Sequence, residues 1–153
     1  MTQRSAPSEL DTHLGYWLRT VSNAVSQAFA RKVEAEGVTV AEWVFLRALF
    51  DQDGVSPSQL AERMGMTKSA ISKLADRLIE KELVKKGAST VDRRGQTLAL
   101  QASAKRLVPR LANLADENDE EFFGGLSRSE RSQLMKMLRK IAVDRDLKST
   151  PVT

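Results

Sequence analysis

The sequence predicts a mainly α-helical chain interrupted once by a small β-hairpin. Three observations carry that expectation. Apolar residues recur at spacings of three and four over most of the length. The period changes to two only between about Leu83 and Gln101. Serine, threonine, proline and glycine stand at the breaks, where helices start and stop.

The elements follow in order. Leu10, Leu14, Trp17, Leu18, Val21, Val25, Ala28 and Phe29 mark one face of a long first helix, stopped at Gly37. Thr39 is the expected cap of a second helix, carrying Trp43, Leu46, Ala48, Leu49 and Phe50, and Asp53-Gly54 breaks the chain after it. Ser56-Pro57-Ser58-Gln59 reads as a capping box with proline at the first helical position, so a short third helix starts there and ends before Gly65. Thr67 caps a fourth helix whose inward residues are Ala70, Ile71, Leu74, Ala75 and Leu78. Residues 83–88 and 96–101 then read as two strands joined by the loop 89–95. Leu107, Leu111, Leu114, Ala115 and Phe122 predict a fifth helix up to Gly124-Gly125, with Pro109 near its start. Ser127 to Glu130 is another capping box, and Leu134, Met137, Leu138 and Ile141 stripe a sixth helix.

Composition narrows the classes. The 153 residues are 41% hydrophobic and 29% charged, a globular balance suited to a single domain or a small domain with an assembly region. No apolar run approaches the roughly 18 residues that span a bilayer, and the polar N-terminus does not read as a signal peptide. A soluble cytoplasmic protein with no membrane partner is expected. The absence of cysteine excludes disulfides and thiolate chemistry. The net charge of +4 matters through its placement: nine bases against five acids between Ser56 and Gly95 account for all of it. A field that localised is the footprint of a nucleic-acid partner.

The third and fourth helices carry the strongest signal. Ala61 is small where two helices cross, Leu60 and Met64 turn inward, and Gly65 can turn the corner. Ile71 and Leu74 then lock the second helix onto the first. These are the spacings of a DNA-binding helix-turn-helix. Ser69, Ser72, Lys73 and Asp76 lie at i, i+3, i+4 and i+7, opposite the apolar stripe, with Lys68 and Arg77 flanking them. Short hydroxyls and lysines on such a helix suit base edges and phosphates in a major groove, although each alone is also what a solvated helix face carries. The hairpin loop is long and ends in Asp92-Arg93-Arg94-Gly95. Arginines at such a tip suit a narrow minor groove, with Asp92 pairing one of them; the plainer alternative is a surface loop with a local ion pair.

From about Leu10 to Ile141 the chain resembles the MarR (multiple antibiotic resistance regulator) family. The resemblance rests on the helix order, the stretch SPSQLAERMGMTKSAISKLADRLIEKELV, and the wing VDRRGQTLAL with Asp92 and Arg94 in an Asp-x-Arg signature. It departs at Gln101–Ala104, where many members have threonine followed by glycine. The resemblance implies a winged helix-turn-helix lobe over 38–101, between dimerisation helices at 8–37 and 102–146, within one unit of residues 1–150. It implies a homodimeric regulator of transcription that binds double-stranded DNA, usually as a repressor. Ser56, Thr67, Lys68, Ser69, Ser72, Lys73 and Arg77, with Asp92, Arg93 and Arg94 of the wing, become the expected DNA-binding residues.

The first and last two helices carry apolar stripes wider than the small lobe can cover, so a two-fold pairing with itself is expected; the alternative is an internal bundle in a monomer. The family resemblance also implies a small aromatic or anionic effector between dimer helices and lobe. His13, Tyr16, Trp17, Trp43 and Arg47 are candidate lining residues, against the simpler readings of packing tryptophans, a helix-end histidine and an arginine paired to a neighbouring acid. Asp116, Glu117, Asp119, Glu120 and Glu121 read as a solvated acidic face without a metal. With one histidine, no phosphate loop and no zinc pair, neither an enzyme nor a cofactor is expected. A winged helix used only for protein contacts is the remaining alternative, opposed by the lysines and arginines on helix and wing.

Overall fold

The computed structural model describes residues 5–88 and 95–147. Among them, a 3-10 turn at Leu10–Thr12 precedes α1 (Leu14–Glu34), α2 (Val40–Leu49), α3 (Pro57–Met64), α4 (Lys68–Glu80), β1 (Val84–Ala88), β2 (Gln96–Leu100), α5 (Ala102–Phe123) and α6 (Arg128–Asp144). The fold is mainly helical with one antiparallel hairpin, as the periodicity predicts.

Capping chemistry sets most of the boundaries. Thr39, Ser56 and Ser127 each accept the backbone N–H three residues on, while Glu42, Gln59 and Glu130 reach back to the cap's own N–H; all three are complete capping boxes. At the end of α3, Gly65 adopts φ 64°, a conformation in which a Cβ would be strained, and Met66 N–H closes on the Ala61 carbonyl at 2.9 Å.

Three boundaries differ from expectation. The first helix starts at Leu14 rather than Leu10, because His13 is extended (φ −95°, ψ 130°). The His13 ring lies 3.1 Å from the Glu9 carbonyl and Trp17 Nε1 donates to the Asp11 carbonyl at 2.8 Å, so local side chains take up carbonyls of the preceding turn. Leu83 lies outside β1 because its N–H bonds the Leu78 carbonyl and closes α4. Gln101 is the residue before α5 rather than the end of β2. It caps nothing with its side chain; its amide Nε2 donates to the Val84 carbonyl at 3.1 Å, and its backbone N–H to the Leu83 carbonyl at 2.9 Å. At the Gln101–Ala104 departure, the junction is tied to β1 instead of capped.

The hairpin pairs Val84 with Leu100 and Lys86 with Leu98. Val55, ahead of α3, adds a bridge to Leu98 from the other side, with N···O distances of 3.0 and 2.8 Å. Gly54 beside it is needed for closeness as well as turning: a Cβ there would lie 3.2 Å from the Thr97 Cβ. The core gathers Phe45, Leu46 and Leu49 of α2, Leu60 and Met64 of α3, Ile71, Leu74 and Leu78 of α4, Val84, Leu98 and Leu100 of the hairpin, and Ala104, Val108 and Leu111 of α5. Val33, in the last turn of α1, joins them. The core therefore runs past residues 38–101 on both sides. α6 contributes no buried residue, and α1 only Ala28 and Val33.

Candidate nucleic-acid interface

The apolar side of α4 decides where its polar side points. Ile71, Leu74, Ala75 and Leu78 are buried against α3 and the hairpin, which leaves Lys68, Ser69, Ser72, Lys73, Asp76 and Arg77 exposed along the opposite face. Nothing in the described chain covers that face. α3 crosses beneath it at Ala61, which is small enough to let the two helices approach.

Thr67 and Ser56 have a second task. Thr67 Oγ1 accepts the Ala70 N–H at 3.1 Å, and Ser56 Oγ accepts the Gln59 N–H at 3.2 Å. Each hydroxyl keeps its own proton to donate outward, toward an anionic oxygen. Ser56 is half-buried and Thr67 exposed. Both stand where unpaired helix N–H groups make a positive end.

The hairpin extends the basic field. Lys85 and Lys86 on β1 are exposed, as is Arg63 on α3. Lys86 and Gln96 line a small cleft with Ser72, Ala75 and Asp76 of α4, Pro57 of α3 and Leu98. The sequence reading did not single out Lys86 or Gln96. Strand alternation holds the signal, since Lys86 lies two residues from buried Val84, and Gln96 two from buried Leu98. Asp92, Arg93 and Arg94 lie outside the described residues.

The effector candidates are spread apart within one chain. His13, Tyr16 and Trp17 sit at the exposed start of α1, with Trp17 52% exposed and its ring edge-on to Tyr16 at 5.3 Å. Trp43 is half-buried against Phe29, at 6.5 Å. Phe29 stands twelve residues beyond Trp17, about 18 Å along the helix. Arg47 pairs with Asp51 at 3.0 Å and lies over the Phe50 ring. Between α1 and α5 a shallow pocket is lined by Val25, Ser26, Phe29, Ala115, Asn118 and Asp119. Within it Asn118 is buried, donating to the Val25 carbonyl (3.1 Å) and accepting from Lys32 (2.8 Å). Among the described residues no cluster of three or more His, Cys, Asp or Glu is placed to hold a metal ion. The five carboxylates between 116 and 121 are exposed, two of them paired as Glu120–Arg131 and Glu121–Lys32.

Sequence reasoning also missed Glu42. Its side chain is 1% exposed, yet it carries a carboxylate. Oε1 accepts from Thr39 N–H (2.9 Å) and Lys81 Nζ (3.0 Å), and Nζ lies 2.9 Å from Oε2. Burial by itself pushes this carboxyl up; the Lys81 ammonium, with the Thr39 N–H and hydroxyl, outweighs burial and holds it below the usual carboxylate range. The partners lie 39 positions apart, beyond the reach of any local pattern.

A helix pair with a glycine corner, an outward polar helix and a flanking hairpin define a winged helix-turn-helix, the architecture of a DNA-binding regulator. Comparison with known proteins takes this further. The model of the MarR family matches residues 36–95. A putative transcriptional regulatory protein for the hcr operon of Thauera aromatica is 31% identical over 129 residues, 84% of this chain and 78% of that one. S. aureus MepR, solved as a DNA complex, superposes with a TM-score of 0.76 at 25% identity, covering 86% of this chain and 98% of MepR. CouR from Rhodococcus jostii RHA1, solved with p-coumaroyl-CoA, gives 0.76 at 26% identity, covering 89% and 96%. The chain belongs to the MarR family of transcriptional regulators and is not an enzyme. No helix among the described residues is long and apolar enough to cross a membrane.

Proposed function

We propose that the protein is a sequence-specific repressor that acts in the cytoplasm as a homodimer on a pseudo-palindromic operator. α4 enters the major groove, with Ser69, Ser72 and Lys73 toward base edges. Lys68, Arg77, Ser56 and Thr67 hold phosphates. Asp92, Arg93 and Arg94 act from the wing in the adjacent minor groove. The uncovered polar face of α4 is the observation that carries this reading.

Pairing rests on a second observation. Trp17, Leu18 and Val21 with Leu14 on α1, and Met137, Leu138 and Ile141 on α6, stay exposed in the single chain, from 42% at Leu138 to 84% at Leu14. A second copy buries them and sets two recognition helices about one turn of DNA apart. The helices outside 38–101 are thus the assembly region, although their inner ends pack into the lobe. Relief comes from a small aromatic or anionic effector at the junction of helices and lobe, as the p-coumaroyl-CoA held by CouR suggests. Trp43, against Phe29 of α1, supports a site there from this chain, and Arg47 would join it by leaving Asp51; His13, Tyr16 and Trp17 complete it only if the partner brings them across.

A mobility-shift assay on the DNA flanking its own gene, at low and high salt, tests the proposal. Retention that weakens steeply with salt is expected, because bound lysines and arginines release counterions. No retention at either salt leaves only a protein-interaction module.

A further inference from the structure

The end of the recognition helix is held from outside the DNA-binding face. Lys81 directly follows α4, and its ammonium contacts three oxygens: the Gly37 carbonyl (3.0 Å), Glu42 Oε1 (3.0 Å) and Glu42 Oε2 (2.9 Å). All belong to the elbow between α1 and α2 or to the first turn of α2. Glu36 in the same elbow is paired to Arg110 of α5 at 3.0 Å. Two separate polar ties thus meet at the elbow, one from α5 and one from the end of α4, joined by its backbone.

From this we infer that Lys81 is a positioning residue: its ion pair with buried Glu42 and its bond to Gly37 set the tilt of α4, and through it the half-site spacing the dimer accepts. The apolar contacts beneath α4 seat it on α3 and the hairpin by close packing, and the polar tie adds a constraint at its C-terminal end. The ammonium makes two directional hydrogen bonds, to the Gly37 carbonyl and Glu42 Oε1, with Oε2 in charge contact, and the buried carboxylate cannot release it without losing its counter-charge. α4 spans thirteen residues, about 20 Å, so a tilt of about 5° at Lys81 carries the far end about 1.7 Å. That displacement at the groove is large against hydrogen-bond tolerances.

The proposal rests on the DNA-binding reading, and its test separates the two. The double variant Lys81→Met, Glu42→Gln removes both charges together and orphans neither, and circular dichroism confirms the fold. Binding is measured on operators whose half-sites stand at the native spacing or one base pair further apart. Wild type is expected to prefer the native spacing, and the variant to lose roughly tenfold of that preference. The slope of affinity against salt stays at the wild-type value, because Lys81 makes no phosphate contact; a slope lower by about one makes it a phosphate ligand and overturns the proposal. An unchanged spacing preference overturns it as well. If wild type binds no DNA, the functional reading falls and amide exchange still decides the pivot. Protection should drop in residues 36–42 and the last turn of α4 while the Gly65 corner keeps its own. Uniform loss, or none, refutes it.

Discussion

Replacing Ile141 with alanine tests the proposed pairing of α6 with a second copy. Ile141 is 51% exposed in the single chain. The substitution deletes three side-chain carbons, each contributing about 0.8 kcal/mol when taken fully out of water. A partner that covers the exposed half therefore makes the deletion cost about 1.2 kcal/mol per subunit. A two-fold axis uses the residue twice, giving about 2.4 kcal/mol per dimer. At 1.4 kcal/mol per decade the dissociation constant rises about 50-fold. Leu14→Ala, at 84% exposure, scales to about 4 kcal/mol and several hundredfold by the same reasoning. Neither side chain lies in the chain's own core, so folding of the subunit stays near wild type. Sedimentation equilibrium across a concentration series reads both constants. If both variants dimerise within twofold of wild type, α1 and α6 do not form the interface, and the exposed stripes need another explanation.

Ser72→Ala and Lys73→Ala should each change base preference at a fixed half-site position by about 1–3 kcal/mol, read by selection from randomised operators; Arg94→Ala should weaken all sequences alike and lower the salt slope by about one. A uniform loss from Ser72 or Lys73 would demote them to phosphate contacts. Glu82 adopts φ 60° just after α4, where an L-residue costs about 1–2 kcal/mol and glycine's extra unfolded freedom about 0.5–1. Glu82→Gly should therefore stabilise the chain and raise Tm by about 2–4 °C, and a lower Tm refutes the strain. Glu42 is held below the ordinary carboxylate value of 4.5, so its ionised form stabilises the fold. That contribution is present above 4.5 and lost as pH falls through the lower folded value. The gap in urea midpoint between wild type and Glu42→Gln should narrow as pH falls below 4.5; a constant gap contradicts it.

Much of the site was legible because its signals are local. A capping box needs a hydroxyl and a glutamine or glutamate three residues apart, so Ser56 and Ser127 announce their helices. The inward stripe of α4 names the outward face by exclusion, so the exposure of Ser69, Ser72 and Lys73 is legible in the sequence. Lys86 and Gln96 were overlooked, since their role depends on which side of a twisted hairpin leans against α4. Glu42 drew no notice, because its pairing with Lys81 is a contact across 39 residues. His13 broke the first helix by satisfying carbonyls with its ring, a competition that periodicity does not register.

The residue pattern alone determined the order of helices, the single hairpin, the glycine corner and the chemistry of the exposed helix. Each of these follows from hydrophobic period or from hydrogen bonds closed within one turn. Only the tertiary structure decided that α6 buries no residue in its own chain, that the effector candidates stand apart within one chain, and that Lys81 ties the end of α4 to the α1–α2 elbow. Those depend on how whole elements sit against one another. Burial and long-range ion pairs are set by the packed chain, and no stretch of residues carries them by itself.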